Sequence, residues 1–144
     1  MTSDYKCYFD GCCEPSNPDG MMGIGVYIQS VDKEFETGYK IEAKKGNTNN
    51  IAEYLAFIKI MELMKNKVNC DIEIFGDSMM VVKQMNGEWN VNSGAYAKYA
   101  LIASTMLIEL KKNNKVTISW IKRDFNSKAD EQSRKSINYI KGKY

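Results

Sequence analysis

The sequence predicts a mixed α/β fold, one sheet flanked by helices, and two observations carry that expectation. Short runs with two-residue alternation, rich in β-branched and aromatic residues, are interleaved with longer segments whose apolar residues recur every three to four positions. The resulting order, β-β-β-α-β-α-α-β-α, runs through residues 1–144 with no linker, internal repeat or low-complexity stretch, which suits one domain of this length.

The chain opens on KCYFDGCCEPSNP, Lys6 to Pro18. Cys7 and Phe9 alternate with Tyr8 and Asp10 as in a strand, and Gly11, Pro15 and Pro18 read as a turn that ends the strand at Asp10. Gly23–Ser30 and Glu34–Glu42 form a hairpin around Val31–Lys33, with Gly23 and Gly25 marking a bulge or a close backbone approach. A polar loop over 44–50 leads into a helix from about Asn50 to Lys67. On its wheel Lys59, Glu62, Lys65 and Asn66 share the solvent side, whereas Glu53 falls in line with Ala56, Phe57, Ile60 and Met64. Asp71–Asp77 is a strand ending in an aspartate, and it runs through Ser78 into a short helix, Met79–Asn86, closed by Gly87. A helix over Ser93–Lys112 carries the inner stripe Tyr96, Ala100, Ala103, Leu107 and Leu110. Lys115–Ile121 is the last strand, and a final helix from Ser127 has Ala129, Ser133, Ile137 and Ile140 on one face.

Composition excludes several classes. No run of about 18 apolar residues exists to span a membrane, and the N-terminus lacks the basic and apolar regions of a signal peptide. Four cysteines without a C-x-x-C spacing, in a chain with no histidine, do not make a zinc set and are expected as free thiols in a reducing, cytoplasmic setting. Net charge is +2, yet residues 111–144 hold 10 Lys/Arg against 3 Asp/Glu, a local +7. Such asymmetry suits a nucleic-acid partner gripped on one side, and equally a solvated basic tail.

Four acids stand in unlikely places: Asp10 and Asp77 at strand ends, Glu53 and Asp130 in first helical turns. A glutamate on the core face of a helix is costly unless a positive or hydrogen-bonding group meets it. Each acid also has a structural role open to it; Ser127 and Asp130, for instance, have capping-box spacing. Gathered at one sheet edge, the four would form a hard oxygen-ligand site, and with no histidine or paired cysteines the fitting ion is Mg²⁺ or Mn²⁺. Two such ions serve in-line phosphodiester displacement.

At this point the sequence resembles the type 1 ribonucleases H over nearly its whole length. The resemblance is carried by YFDG at 8–11, TNNIAEY at 48–54, GDSMMVVKQMNGEW at 76–89 and RDFNSKAD at 123–130. The CEPSNPDG turn at 13–20 and the R-x-x-N-x-x-A-D pattern look like the archaeal-type subgroup. The resemblance implies a ribonuclease H-like fold with a five-stranded mixed sheet of order 3-2-1-4-5. It implies hydrolysis of the RNA strand of an RNA–DNA hybrid by a monomer, with Asp10, Glu53, Asp77 and Asp130 holding two Mg²⁺ ions, Mn²⁺ as a substitute. Gly11, Asn17, Asn49 and Asn50 then fall at substrate-binding positions. Amide side chains carry both a donor and an acceptor, as reading a 2′-OH requires.

Three departures from the family pattern stand out. The loop before Asp130 carries no histidine, and Arg123 in that loop is the expected phosphate contact; Met79 occupies a groove position that glutamine often holds; and only Glu88–Ser93 joins the two middle helices, in place of a basic handle. Two alternatives use the same fold: a non-catalytic nucleic-acid-binding module, and a related metal-dependent DNA nuclease. A complete four-acid set argues against the first, and the Asn49–Asn50 pair argues against the second.

Overall fold

The computed structural model describes residues 3–141, with side chains through residue 137. Its elements are β1 (Tyr5–Glu14), β2 (Met21–Ser30), β3 (Glu34–Ile41), α1 (Asn49–Met64), β4 (Asp71–Gly76), α2 (Met79–Met85), α3 (Ala97–Lys111), β5 (Lys115–Trp120), a 3₁₀ turn (Arg123–Phe125) and α4 (Ser127–Lys141). The five strands form one sheet of order β3-β2-β1-β4-β5. β1, β2 and β3 pair antiparallel, whereas β1–β4 and β4–β5 are parallel. α1 lies on one face of the sheet, with α3 packed against it, and α4 covers β1 to β3 on the other.

Hydrophobic burial sets these layers. Phe9, Phe57, Ile60, Ile72, Ile74 and Val81 are fully enclosed between the sheet and α1–α3, with Phe9 edge-on to Phe57. The expected stripe of α3 is buried at Ala100, Ala103, Leu107 and Leu110, and Tyr96 packs at its edge. On α4, Ala129, Ser133 and Ile137 face the sheet; the side chain of Ile140 lies outside the described residues.

Most expected boundaries move by one to three residues, and two shift by four. β1 does not stop at Asp10 but continues to Glu14, because β2 offers it an antiparallel partner from Asp10↔Gly25 through Glu14↔Met21. The parallel ladder with β4 does end there, at Phe9↔Gly76, so Asp10 is the first residue of β1 that β4 leaves uncovered. α3 starts at Ala97 rather than Ser93. The Gln84 side chain holds the preceding segment in a loop: its amide donates to the Asn90 carbonyl (3.1 Å) and the Tyr96 hydroxyl (3.2 Å), and its carbonyl accepts from Tyr54. This buried network stands where a longer connection would project.

Glycines let both helices approach the site's strands closely. Asp10, Gly25 and Gly38 are opposed across β1, β2 and β3, so they share the α4 face. A Cβ on Gly25 would lie 2.1 Å from the Ala129 carbonyl oxygen, and one on Gly38 would lie 2.4 Å from that of Gln132. The glycines at 23 and 25 therefore serve a close approach rather than a bulge. On the other face a Cβ on Gly11 would lie 2.3 Å from the Ala52 carbonyl carbon and 2.5 Å from the Glu53 nitrogen. Gly25→Ala is therefore expected to lift α4 and destabilise the chain by about 1–3 kcal/mol, the range for overpacking. A urea melt checks it, and an unchanged midpoint would refute the seating.

Candidate active site

Asp10 and Asp77 stand side by side because each follows the last pair of the parallel β1–β4 ladder, Phe9↔Gly76. Two contacts hold this edge. Asn126, 1% exposed, donates from Nδ2 to the Phe9 carbonyl at 2.9 Å, and Trp120 Nε1 donates to the Asp77 carbonyl at 3.1 Å. Glu53 arrives from the opposite layer. Thr48 caps α1, accepting from the Ile51 amide at 3.1 Å, which starts the helix at Asn49, one residue earlier than expected, so that Glu53 faces Gly11 from just past the first turn rather than within it. The outcome is one trio: carboxylate oxygens of Asp10, Glu53 and Asp77 lie within 4.8 Å of one another.

The fourth acid, Asp130, borders this trio rather than joining it. Its Oδ1 accepts from Arg134 Nε at 3.1 Å and lies 3.7 Å from Arg123 Nη2. The carboxylate is thus engaged by two arginines, not by the capping box that the sequence left open. Ser133 links the two sides: its Oγ lies 3.1 Å from Asp10 Oδ2 and 2.8 Å from the Asp130 backbone carbonyl.

Burial and mutual repulsion dominate the electrostatics. The Asp10 carboxyl is pushed up to about 8, first by burial, then by Asp77 and Asp130, with the Ser133 hydroxyl acting in the opposite direction. Glu53 is raised well above the carboxylate range by burial and by its neighbours Asp10 and Asp77; the Gly11 amide and Arg123 offset part of this. Asp77 is raised by burial, against the pull of Asn126 and Arg123. Among the described residues, two buried oxygens at this edge have no hydrogen-bond partner, Glu53 Oε2 and Asn126 Oδ1. Crowded, uncompensated carboxylate oxygens with no nitrogen or sulfur ligand among the trio are the donor set of a hard divalent cation.

The trio lines a cleft of about 510 Å³. The five expected substrate contacts, Gly11, Asn17, Asn49, Asn50 and Arg123, line it too, whereas Asp130 does not. Asn17 Oδ1 accepts from the Asn49 amide at 3.1 Å, which ties the 15–20 turn to the start of α1 as one wall. Sequence reasoning missed Cys12, Cys13, Glu14, Ser78, Trp120 and Arg134 in this lining. Arg134 was within reach of it, as an arginine four residues after Asp130 on one helix is a standard ion-pair spacing. Glu14 and Trp120 carry no comparable signal.

Stability should depend on pH with a definite sign. A carboxyl raised to about 8 in the fold, against 3.8 as its ordinary value, binds its proton more tightly folded than unfolded. The stability it contributes is full below its unfolded pKa and is lost as pH rises through the folded one. The metal-free chain should therefore melt lower at about pH 8.5 than at about pH 5, and Asp10→Asn should flatten that slope and stabilise the alkaline end. Thermal melts with chelator at the two pH values decide it; parallel slopes for both proteins would count against a buried, repelling trio.

Residues 8–136 match a protein family described as reverse transcriptase-like. A ribonuclease H from Francisella philomiragia is 32% identical over 147 residues, covering 94% of this chain and 92% of that protein. Among solved structures, the RNase H1 of the halophilic archaeon Halobacterium salinarum superposes with a TM-score of 0.78 at 28% identity, covering 94% of this chain and 98% of that one. LC11-RNase H1, solved in complex with an RNA/DNA hybrid, gives 0.77 at 25% identity over 94% and 98% of the two chains. Sequence, sheet order and relatives agree: the chain belongs to the type 1 ribonuclease H family.

Proposed function

We propose that this chain hydrolyses the RNA strand of RNA–DNA hybrids, with Asp10, Glu53, Asp77 and Asp130 holding two Mg²⁺ ions, or Mn²⁺ in their place. The observation that carries this reading is the trio of crowded carboxylates with an unpartnered Glu53 oxygen at the floor of an open cleft. Ions bound there would activate a water for in-line attack and neutralise charge on the leaving oxygen. The chain's own groups do the remaining work. Asn17, Asn49 and Asn50 offer amides to the minor groove, where a 2′-OH distinguishes RNA from DNA. Arg123, largely exposed beside Asp130, offers a guanidinium to a backbone phosphate. A hybrid-bound relative on the same fold supports the substrate class. Among the described residues no helix is long and apolar enough to cross a membrane, and the four free cysteines accord with our assignment to the cytoplasm, as a monomer.

Cleavage of matched RNA–DNA, RNA–RNA and DNA–DNA duplexes, with Mg²⁺ or with chelator, tests the proposal. Only the hybrid with Mg²⁺ should be cut, and Asp77→Asn should reduce that cleavage below detection while keeping the fold by circular dichroism. Preferential cutting of DNA duplex, or undiminished rates in the mutant, would overturn the assignment. For the phosphate contact, each neutralised phosphate adds about −0.9 to the log–log salt slope on B-DNA, so Arg123→Ala should flatten the slope for hybrid by roughly one unit. An unchanged slope would remove Arg123 from the interface.

A further inference from the structure

The turn of α4 that carries Asp130 is fastened to alternate residues of β1. Asp10, Cys12 and Glu14 all project toward α4. Ser133 Oγ meets Asp10 at 3.1 Å, the Cys12 thiol faces the Ser133 carbonyl at 3.9 Å, and Arg134 Nη1 donates to Glu14 Oε1 at 2.6 Å. Arg134 therefore serves two carboxylates with one guanidinium: Nη1 goes to Glu14 on β1 and Nε to Asp130 on its own helix. Both ion pairs are partly exposed at the cleft rim, where such pairs add little to stability. Their consequence is local. The guanidinium sits on the one acid that stands outside the trio, and both arginine contacts to Asp130 fall on a single oxygen, Oδ1.

We infer that Arg134 and Glu14 are positioning residues for Asp130. Arg134 occupies the fourth carboxylate in competition with an incoming cation, and Glu14 weakens that competition by drawing the guanidinium outward along the rim. The inference rests on the proposed metal role of the four acids and adds the element that sets when Asp130 is released to a metal. Coulomb attraction between guanidinium and carboxylate supplies the competition; it is small in the folding balance, yet a cation taking Asp130 has to offset it. The planar fork sets the two bonds on different, diverging nitrogens, a fixed geometry that the compact ammonium of lysine does not reproduce.

The experiment is Mg²⁺ binding to the full chain without substrate, followed by titration calorimetry. The variants are Glu14→Gln, Arg134→Gln and the pair combined, with circular dichroism checking the fold. Glu14→Gln should weaken Mg²⁺ binding by about three- to tenfold, as expected when the freed guanidinium closes fully on Asp130. Arg134→Gln should tighten binding by a similar factor. In the Arg134→Gln background, Glu14→Gln should have no further effect, because Glu14 acts only through Arg134. Arg134→Lys provides a second route that keeps the charge: with no fork to share, the effect of Glu14→Gln should again largely vanish. A Glu14→Gln effect of undiminished size without Arg134 would mean simple long-range charge and would overturn the inference, as would weaker binding in Arg134→Gln. A wild-type chain that takes up no Mg²⁺ at all would be a separate failure, removing the metal reading of the site and this inference with it.

Discussion

Three carboxylates brought within 4.8 Å of one another, two of them almost fully buried, constitute the constraint on which the rest of this structure depends. Isolated in a low-dielectric edge, they cannot all ionise without a positive partner. The fold nevertheless drives them together from three elements, β1, β4 and α1, and provides only partial relief through Ser133, Asn126, the Gly11 amide and Arg123. Packing elsewhere must cover that cost, and the continuous apolar core between the sheet and α1–α3 is the available source.

Bringing the acids together requires backbone to approach backbone. α1 can present Glu53 only because position 11 has no side chain, and α4 can bring Ser133 and Asp130 over Asp10 only because positions 25 and 38 have none. Glycines weaken strands by propensity, yet Gly25 and Gly38 sit in the row that runs straight to Asp10, and Gly11 follows Asp10 in β1. Local strand preference yields to site geometry here, as is expected where a functional constraint outranks a structural one.

The two arginines share the acids unequally. Arg123 moderates Glu53 and Asp77 and also approaches Asp130, whereas Arg134 with Glu14 engages Asp130 alone on the rim. With no histidine in the chain, the positive charge near this site comes from guanidinium groups, which do not titrate in the working range. Charge here changes by ion binding and by protonation of the buried carboxyls, Asp10 among them, rather than of an imidazole.

The sequence by itself determined the element order, the core faces and which acids were out of place. Periodicity reports which residues face inward, and Glu53 in line with Ala56, Phe57, Ile60 and Met64 could be read as buried before any coordinates were considered. Strand order and the acids' family roles were implied by the resemblance that four motifs carry, not by periodicity. Three things only tertiary structure decided. β1 extends past Asp10 because β2 pairs with it there, a long-range hydrogen-bond pattern that local turn residues do not encode. The 90–96 segment stays a loop because Gln84, buried from a different helix, takes up its polar groups. Asp130 borders the trio instead of completing it because Arg134 bonds it in the helix and Glu14 bonds Arg134 from 120 positions away along the chain. Residue type and spacing announce that an acid is misplaced; which cation answers it depends on partners that only the folded chain brings within reach.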